Sequence, residues 1–325
     1  MKKLLVAILF LGVLVSCEKT SKKSTLEGSI GNTNELKIVM DKDLWQGNVG
    51  DTLRSTLAAP VDGLPREEPL FTLDQITPDK FIGYVSKSRI FLTIKLGEPS
   101  LFSIEEDVTA RQQTGITISG ENEDAIIALI KKHEDEMIKA FKDRELAAIQ
   151  MRIGKSLENT DSLKSTFGIT MRFPTAYDYT KREKNFFWMD KDIKRSGNMN
   201  ITVYEVPLQA IDKDTFSVAR IVRMRDSVSG ANISLNQGRF QTERSFSPQL
   251  FETEIDGHFA WEMKGTWEVR EGRLMVGPFL NYAIRDEKNN RYVVVEGFIF
   301  SPSLDQRDNM FELEAILRST RFLDN

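Results

Sequence analysis

The chain carries one cysteine and two histidines in 325 residues. One cysteine excludes an intrachain disulfide, a paired redox motif and a cysteine-built zinc site, each of which needs at least two thiols. An excess of positive charge is also missing. Lys and Arg number 44 against 48 Asp and Glu, a formal net charge of −4. That balance gives no electrostatic footprint for nucleic acid, which is not expected as a partner. No Gly-rich phosphate loop and no Gly-x-Ser-x-Gly elbow occurs, so neither nucleotide cradling nor Ser–His hydrolysis has its usual scaffold. No apolar run reaches the ~20 residues a membrane-spanning helix requires. What remains is the composition of a globular body, 40% hydrophobic and 28% charged, with 20 Phe and 4 Trp. Such a chain is long enough to bury a core without disulfides.

The lone cysteine is placed where it has a use. Lys2 and Lys3 precede an apolar run, Leu4 to Val15, interrupted only by Gly12. That is the pattern of an export signal. The run ends in Leu14-Val15-Ser16-Cys17, which resembles the bacterial lipobox. There the thiol accepts a diacylglycerol group, the small residue before it admits the peptidase, and cleavage frees the cysteine amine for another acyl chain. Residues 1–16 are therefore expected to be removed, leaving Cys17 lipidated (palmitate being the usual acyl label) at the mature N-terminus. Each buried CH₂ contributes ~0.8 kcal/mol, so two or more chains anchor stably where one does not. Residues 18–34 are polar, with scattered Gly and Ser. They are expected to form a tether reaching about 20–25 Å as a coil. The expected location is the outer membrane, and the absence of a run of acids after Cys17 leans towards its periplasmic face.

Along the body, hydrophobic periodicity predicts strands at 36–40, 90–96, 101–104 and 116–118, and a helix within Gly47–Ala59 ended by Pro60. Pro60, Pro65 and Pro69 mark an extended loop. Ile126, Ile130, Met137, Phe141 and Ala148 lie on one helical stripe, and no Pro or Gly interrupts until Gly154. One long helix is expected from Glu121 to about Leu157, roughly 50 Å at the α-helical rise. In the second half Ile169–Phe173 and Met199–Val203 alternate as strands, and Thr215–Val228 reads as a helix. Phe251, Ile255, Phe259, Trp261, Met263, Trp267 and Val269 all fall on odd numbers. Asp256-Gly257 is the turn signal within this stretch. A two-residue loop would place Phe251 on the face of Glu262; an odd, bulged loop would keep the large apolar groups together, and is the expectation. A hairpin through Glu287-Lys288-Asn289-Asn290 and a closing helix at about Gln306–Ser319 complete the chain. The class is α+β, as two antiparallel-sheet-plus-helix units, 36–157 and 158–325.

Asp43-Leu44-Trp45-Gln46-Gly47, Val49-Gly50-Asp51-Thr52-Leu53-Arg54 and Pro65-Arg66-Glu67-Glu68-Pro69-Leu70-Phe71 resemble the opening of an uncharacterised lipoprotein family of Bacteroidota, domain of unknown function 4837. Tyr292-Val293-Val294-Val295-Glu296-Gly297-Phe298 and Ile316-Leu317-Arg318-Ser319-Thr320 agree with it. The resemblance covers nearly the whole mature chain. It implies a two-membrane bacterium and an envelope location, with no activity and no site residue to carry over.

The remaining constellations are weak. His133 in Lys132-His133-Glu134-Asp135-Glu136-Met137 lacks the second His that a zinc-protease helix needs four residues on. Glu252, Glu254, Asp256 and His258 would share a face only on one unbroken strand, and the Asp-Gly turn breaks it. Asp41/Asp43, Asp190/Asp192 and Asp212/Asp214 lack the ligand number and central Gly of a calcium loop. No metal, cofactor or catalytic residue is assigned. Trp45 and Phe186-Phe187-Trp188 could line a groove for a partner or glycan, although core packing is their ordinary use; with Trp45 beside it, the Pro60–Pro69 loop would be the surface to test first. The expected function is a membrane-anchored envelope lipoprotein of unknown biochemical activity, a non-catalytic binding or structural protein with an envelope protein or glycan as partner. The alternative is a carboxylate-dependent hydrolase of an envelope glycan or peptidoglycan.

Overall fold

The computed structural model describes residues 26–193, 197–212, 218–235, 238–271 and 274–323. The signal segment, Cys17, Asp214 and the first residues of the helix expected from Thr215 lie outside them. The class is α+β. Among the described residues no helix is long and apolar enough to cross a membrane.

The first unit contains β1 (Glu35–Val39), α1 (Lys42–Gln46), α2 (Asn48–Leu57), β2 (Thr72–Ile76), β3 (Ile90–Leu96), β4 (Leu101–Glu106), β5 (Thr114–Gly120), α3 (Glu123–Lys132) and α4 (Glu134–Ile153). Its sheet runs β2-β1-β3-β5-β4. The expected antiparallel sheet is corrected here: β1 pairs parallel with β2 and β3, β3 pairs parallel with β5, and only β4 is antiparallel. Parallel pairing needs crossovers, supplied between β1 and β2 by α1, α2 and the proline loop. Leu36, Ile38, Leu92, Ile94, Ile116 and Ile118 form a core with Leu53 of α2 and Ile126, Met137 and Phe141 of α3 and α4.

The single long helix is also corrected. It is two helices, broken at His133, whose backbone leaves the helical region at φ −109°, ψ 19°. Its imidazole stacks on Phe102 with centroids 3.9 Å apart, and its Nδ1 lies 2.9 Å from Glu136. The apolar stripe continues across the break because both helices cover the same sheet. The kink therefore left no trace in the periodicity.

The second unit begins with α5 (Asp161–Phe167) and β6 (Ile169–Thr170), followed by β7 (Asp178–Glu183), β8 (Phe186–Ile193), β9 (Gly197–Pro207), α6 (Gln209–Asp212) and α7 (Val218–Asn232). Short strands β10 (Ser234–Leu235), β11 (Gly238–Arg239) and β12 (Gln241–Thr242) lead to β13 (Gln249–Ile255), β14 (His258–Val269), β15 (Met275–Asp286) and β16 (Arg291–Phe300). Then come α8 (Arg307–Leu317) and β17 (Arg321–Phe322), which pairs with β6. The large antiparallel sheet is ordered β12-β14-β15-β16-β9-β8-β7, with β13 also on β14. One face packs under α5, α8 and the end of α4, through Leu280, Tyr282, Val293, Val295, Leu313 and Ile316. The other packs under α7, through Tyr204, Ile221, Trp267, Phe279, Val294 and Phe298. Central strands covered on both faces explain the unbroken apolar run at 292–295.

The bulged turn expected at Asp256-Gly257 is not formed. Ile255 pairs directly with His258 across a two-residue loop. Asp256 and Gly257 both have positive φ, 54° and 76°, as a primed hairpin turn requires, and Asp-Gly is among the sequences that best accept it. The parity conflict resolves because the sheet has two covered faces. Met263, Trp267 and Val269 enter the α7 core, while Ile255 and Ala260 enter the α8 core. Phe251 and Phe259 remain partly exposed, and the Lys264 ammonium lies 5.2 Å from the Phe251 ring centroid.

Candidate functional site

The two units meet over the proline loop. Arg66 donates to the carbonyls of Pro302 and Leu304 at 3.3 and 3.0 Å. The Glu68 carboxylate accepts the backbone N–H groups of Gln306 and Arg307 at 2.7 and 2.8 Å. Those are free donors at the start of α8, so a residue nearly 240 positions away acts as its cap; a carboxylate there also complements the helix dipole. Arg307 answers by donating to the Pro69 carbonyl and the Thr72 hydroxyl, both at 3.0 Å. Pro65-Arg66-Glu67-Glu68-Pro69, read from sequence only as a loop, is a clamp between the units.

Next along the loop, Gly63 has φ +81°, and a Cβ there would lie 2.9 Å from Lys264 Cβ and 3.0 Å from Gly265 N. Glycine lets the loop lie against β14. Asp62 accepts from Gln249 of β13 at 2.8 Å. This close approach roofs a cavity of about 260 Å³ floored by β14, β15 and the first turns of α8. Val61, Leu64, Pro278, Leu280, Met310 and Phe311 supply its apolar walls, with Lys142, Lys264, Arg307 and Glu314 at its polar edge.

The polar edge is an alternating chain of charges. Lys142 Nζ lies 3.4 Å from Glu314 Oε1, which also accepts from Arg318 Nε at 3.0 Å. Arg318 Nη2 reaches Glu262 Oε2 at 3.3 Å, and Lys264 Nζ lies 3.0 Å from Glu262 Oε1. Burial pushes the Glu314 carboxyl up, but Lys142, Arg318 and Lys264 together outweigh it and hold the group below its ordinary value. Burial, then the negative charges of Glu314 and Glu262, push the Tyr282 phenol well up. At neutral pH Glu314 is an anion and Tyr282 a neutral phenol. A glycosidase-type acid needs the reverse, a carboxyl held protonated.

Of the sequence candidates, few come together. Phe186, Phe187 and Trp188 are buried in the cores on the two faces of the large sheet. Trp45 packs beneath Arg54, whose guanidinium carbon is 4.5 Å from its ring centroid. None of these four lines the cavity; the proline loop does. His258 packs on Phe322, ring centroids 4.2 Å apart, with Nδ1 3.1 Å from the Arg285 carbonyl. Asp256 binds the backbone N–H of Phe322 at 2.7 Å, and Asp212 accepts from the Tyr292 hydroxyl at 2.6 Å. Among the described residues no three His, Cys, Asp or Glu side chains are grouped as metal ligands would be. Residues 28–34, expected in the tether, are partly held on the body, through bridges Gly28–Arg111 and Ile30–Ser88.

Residues 156–319 match the family model described as Domain of unknown function (DUF4837). Residues 29–154 match a second one, Domain of unknown function (DUF8532). The opening motifs at 43–71 thus fall in the second model, and the first covers the C-terminal half. No curated protein matches the chain. A crystal structure of the Saccharomyces cerevisiae Ran-binding protein Mog1p is similar over 48% of this chain and 91% of its own, at 13% identity and a TM-score of 0.32. A crystal structure from Bacteroides thetaiotaomicron is similar over 49% of this chain and 46% of its own, at 9% identity and a TM-score of 0.28.

Proposed function

This chain belongs to the family described as Domain of unknown function (DUF4837), and from that premise we propose that it is a lipid-anchored envelope protein that works by binding rather than by catalysis. The anchor is Cys17, supported by the register of Lys2-Lys3, the apolar run and Leu14-Val15-Ser16-Cys17. The location is the outer membrane, facing the periplasm. The observation that carries the binding reading is the cavity between the units, apolar in its walls and edged by a carboxylate already neutralised by cations. At about 260 Å³ it falls just below the usual range for small-molecule sites. It suits one large apolar side chain of an envelope protein, inserted beneath the proline loop. A glycan partner would present hydroxyls that these walls cannot satisfy.

The test expresses the precursor and Cys17→Ala with labelled palmitate in a bacterial host, followed by fractionation. Label and membrane association are expected in the wild type and lost in the variant. In the same cells a photoreactive side chain replacing Leu64 is expected to give a discrete protein adduct. An unlabelled, soluble wild type would overturn the anchor and favour a freely diffusing exported enzyme. A labelled wild type giving no adduct would overturn the cavity as the binding site.

A further inference from the structure

The first unit carries two exposed apolar pairs at opposite ends of β3. Leu96 and Leu101 flank the β3–β4 turn, 46% and 50% exposed. Before β3, Ile82 and Tyr84 are 68% and 73% exposed, and Val108 nearby is 42% exposed. The loops carrying Ile82 and Tyr84 on one side and Val108 on the other are tied together. The Ser86 carbonyl accepts from Gln113 Nε2 at 2.7 Å and from the Thr109 hydroxyl. Gly83, φ +60° with open space where a Cβ would be, turns the chain at the tip between Ile82 and Tyr84.

The segment arriving from Cys17 is fixed on these same loops. Arg111 N donates to Glu27 O at 2.7 Å, Ser29 N to Arg111 O at 3.0 Å, and Ile30 N to Lys87 O at 2.9 Å. Lys87 Nζ also pairs with Glu27 at 2.7 Å. Nine Cα-to-Cα steps lead from Cys17 to Leu26, a span of about 30 Å fully extended and about 15–18 Å as a coil. Tethering on that scale raises the effective concentration of these groups at the surface holding the lipid.

We propose that Ile82, Tyr84 and Val108 form a contact that seats the body on the bilayer in which Cys17 is anchored. This rests on the lipoprotein reading above. The juxtaposition of a fixed tether exit with exposed apolar side chains carries it. The chemistry fits a lipid surface: aliphatic side chains enter the acyl boundary, and a tyrosine places its ring there with its hydroxyl among the headgroups. Charge contributes little, because the loops around these side chains carry Lys80, Lys87 and Arg111 against Asp79, Asp107 and Glu27, the last of them paired with Lys87. Seating therefore needs no anionic lipid and persists at high salt.

The test uses the full lipidated chain in phosphatidylcholine vesicles. Acylation consumes the thiol of Cys17, so Ile82→Cys, Tyr84→Cys, Val108→Cys or Leu101→Cys each adds the single site for a nitroxide. Its collisions are read with oxygen, which partitions into hydrocarbon, and with a nickel chelate, which does not. The oxygen-to-nickel ratio is expected to be about fivefold or more higher at 82 and 84 than at 101, which lies about 20 Å away along β3. Ile82→Asp with Tyr84→Asp, at exposed positions, is expected to return the label at 108 to water with palmitate incorporation unchanged. Palmitate present but all labels equally open to nickel overturns the seating while leaving the anchor intact. Labels at 82 and 84 shielded from both reagents overturn it in favour of a covering protein or second copy. Absence of palmitate at Cys17 removes its premise and overturns both readings.

Discussion

Arg225 and Glu296 are fully buried and face each other in the α7 core, with bonds of 2.9 and 2.8 Å. The guanidinium carbon lies 3.7 Å from the centroid of Phe279 and 4.9 Å from that of Phe240. Thr242 accepts from Nη1 at 2.9 Å, and Asn281 donates to Glu296 at 2.8 Å. Removing one member strands a buried charge, at a cost of about 3–5 kcal/mol, whereas replacing both with apolar groups can be nearly neutral. Arg225→Met and Glu296→Met are each expected to lower the urea midpoint strongly, and the double variant less than either alone. Single losses below about 1 kcal/mol would sink this account. Neither residue stands out in sequence. Glu296 interrupts an apolar run, but its partner lies 71 positions earlier, in a helix with its own polar face.

At the scale of elements, the strands with clean alternation were legible. The run Ile90–Leu96 is a strand with those bounds, and the hairpin through 287–290 joins β15 to β16 as its turn residues require. What sequence misjudged were relations between elements. A parallel pair leaves no turn to read, so the mixed first sheet was invisible. The parity argument at 251–269 assumed one covered face where there are two. The turn that actually forms, at Asp256-Gly257, gives a direct check. Gly257→Ala places a side chain at φ +76° and is expected to cost about 1 kcal/mol, read as a lower thermal midpoint. An unchanged midpoint would mean that the turn is not what fixes this hairpin.

Across the whole molecule, acid sensitivity follows from carboxylates held below their ordinary values. Glu314 is lowered because its three cations outweigh burial, and Asp286 because Asn289 and Arg291 do the same. Each contributes stability that is fully present above its ordinary value, 4.5 or 3.8, and is lost as pH falls through the lower folded value. Glu145 runs the other way. Burial raises it despite Arg89 at 2.8 Å, so its contribution falls as pH rises through its folded value. Urea midpoints measured from pH 7 to 3 are expected to fall in acid, and Glu314→Gln to flatten that fall. An equally steep profile in the variant would remove Glu314 from the account. The cavity beside it was not legible, because its roof, floor and end wall come from residues near 62, 264–280 and 310. Only the proline loop was marked in advance as a surface to watch.

The clamp from Glu68 to Gln306 and Arg307 joins positions 238 and 239 residues apart. At about 5–20 residues per second, a ribosome makes the second partner some 10–50 s after the first. Throughout that interval the proline loop waits without the helix it caps. The cavity thus cannot close until α8 is present, and any chain cut short before α8 never acquires one.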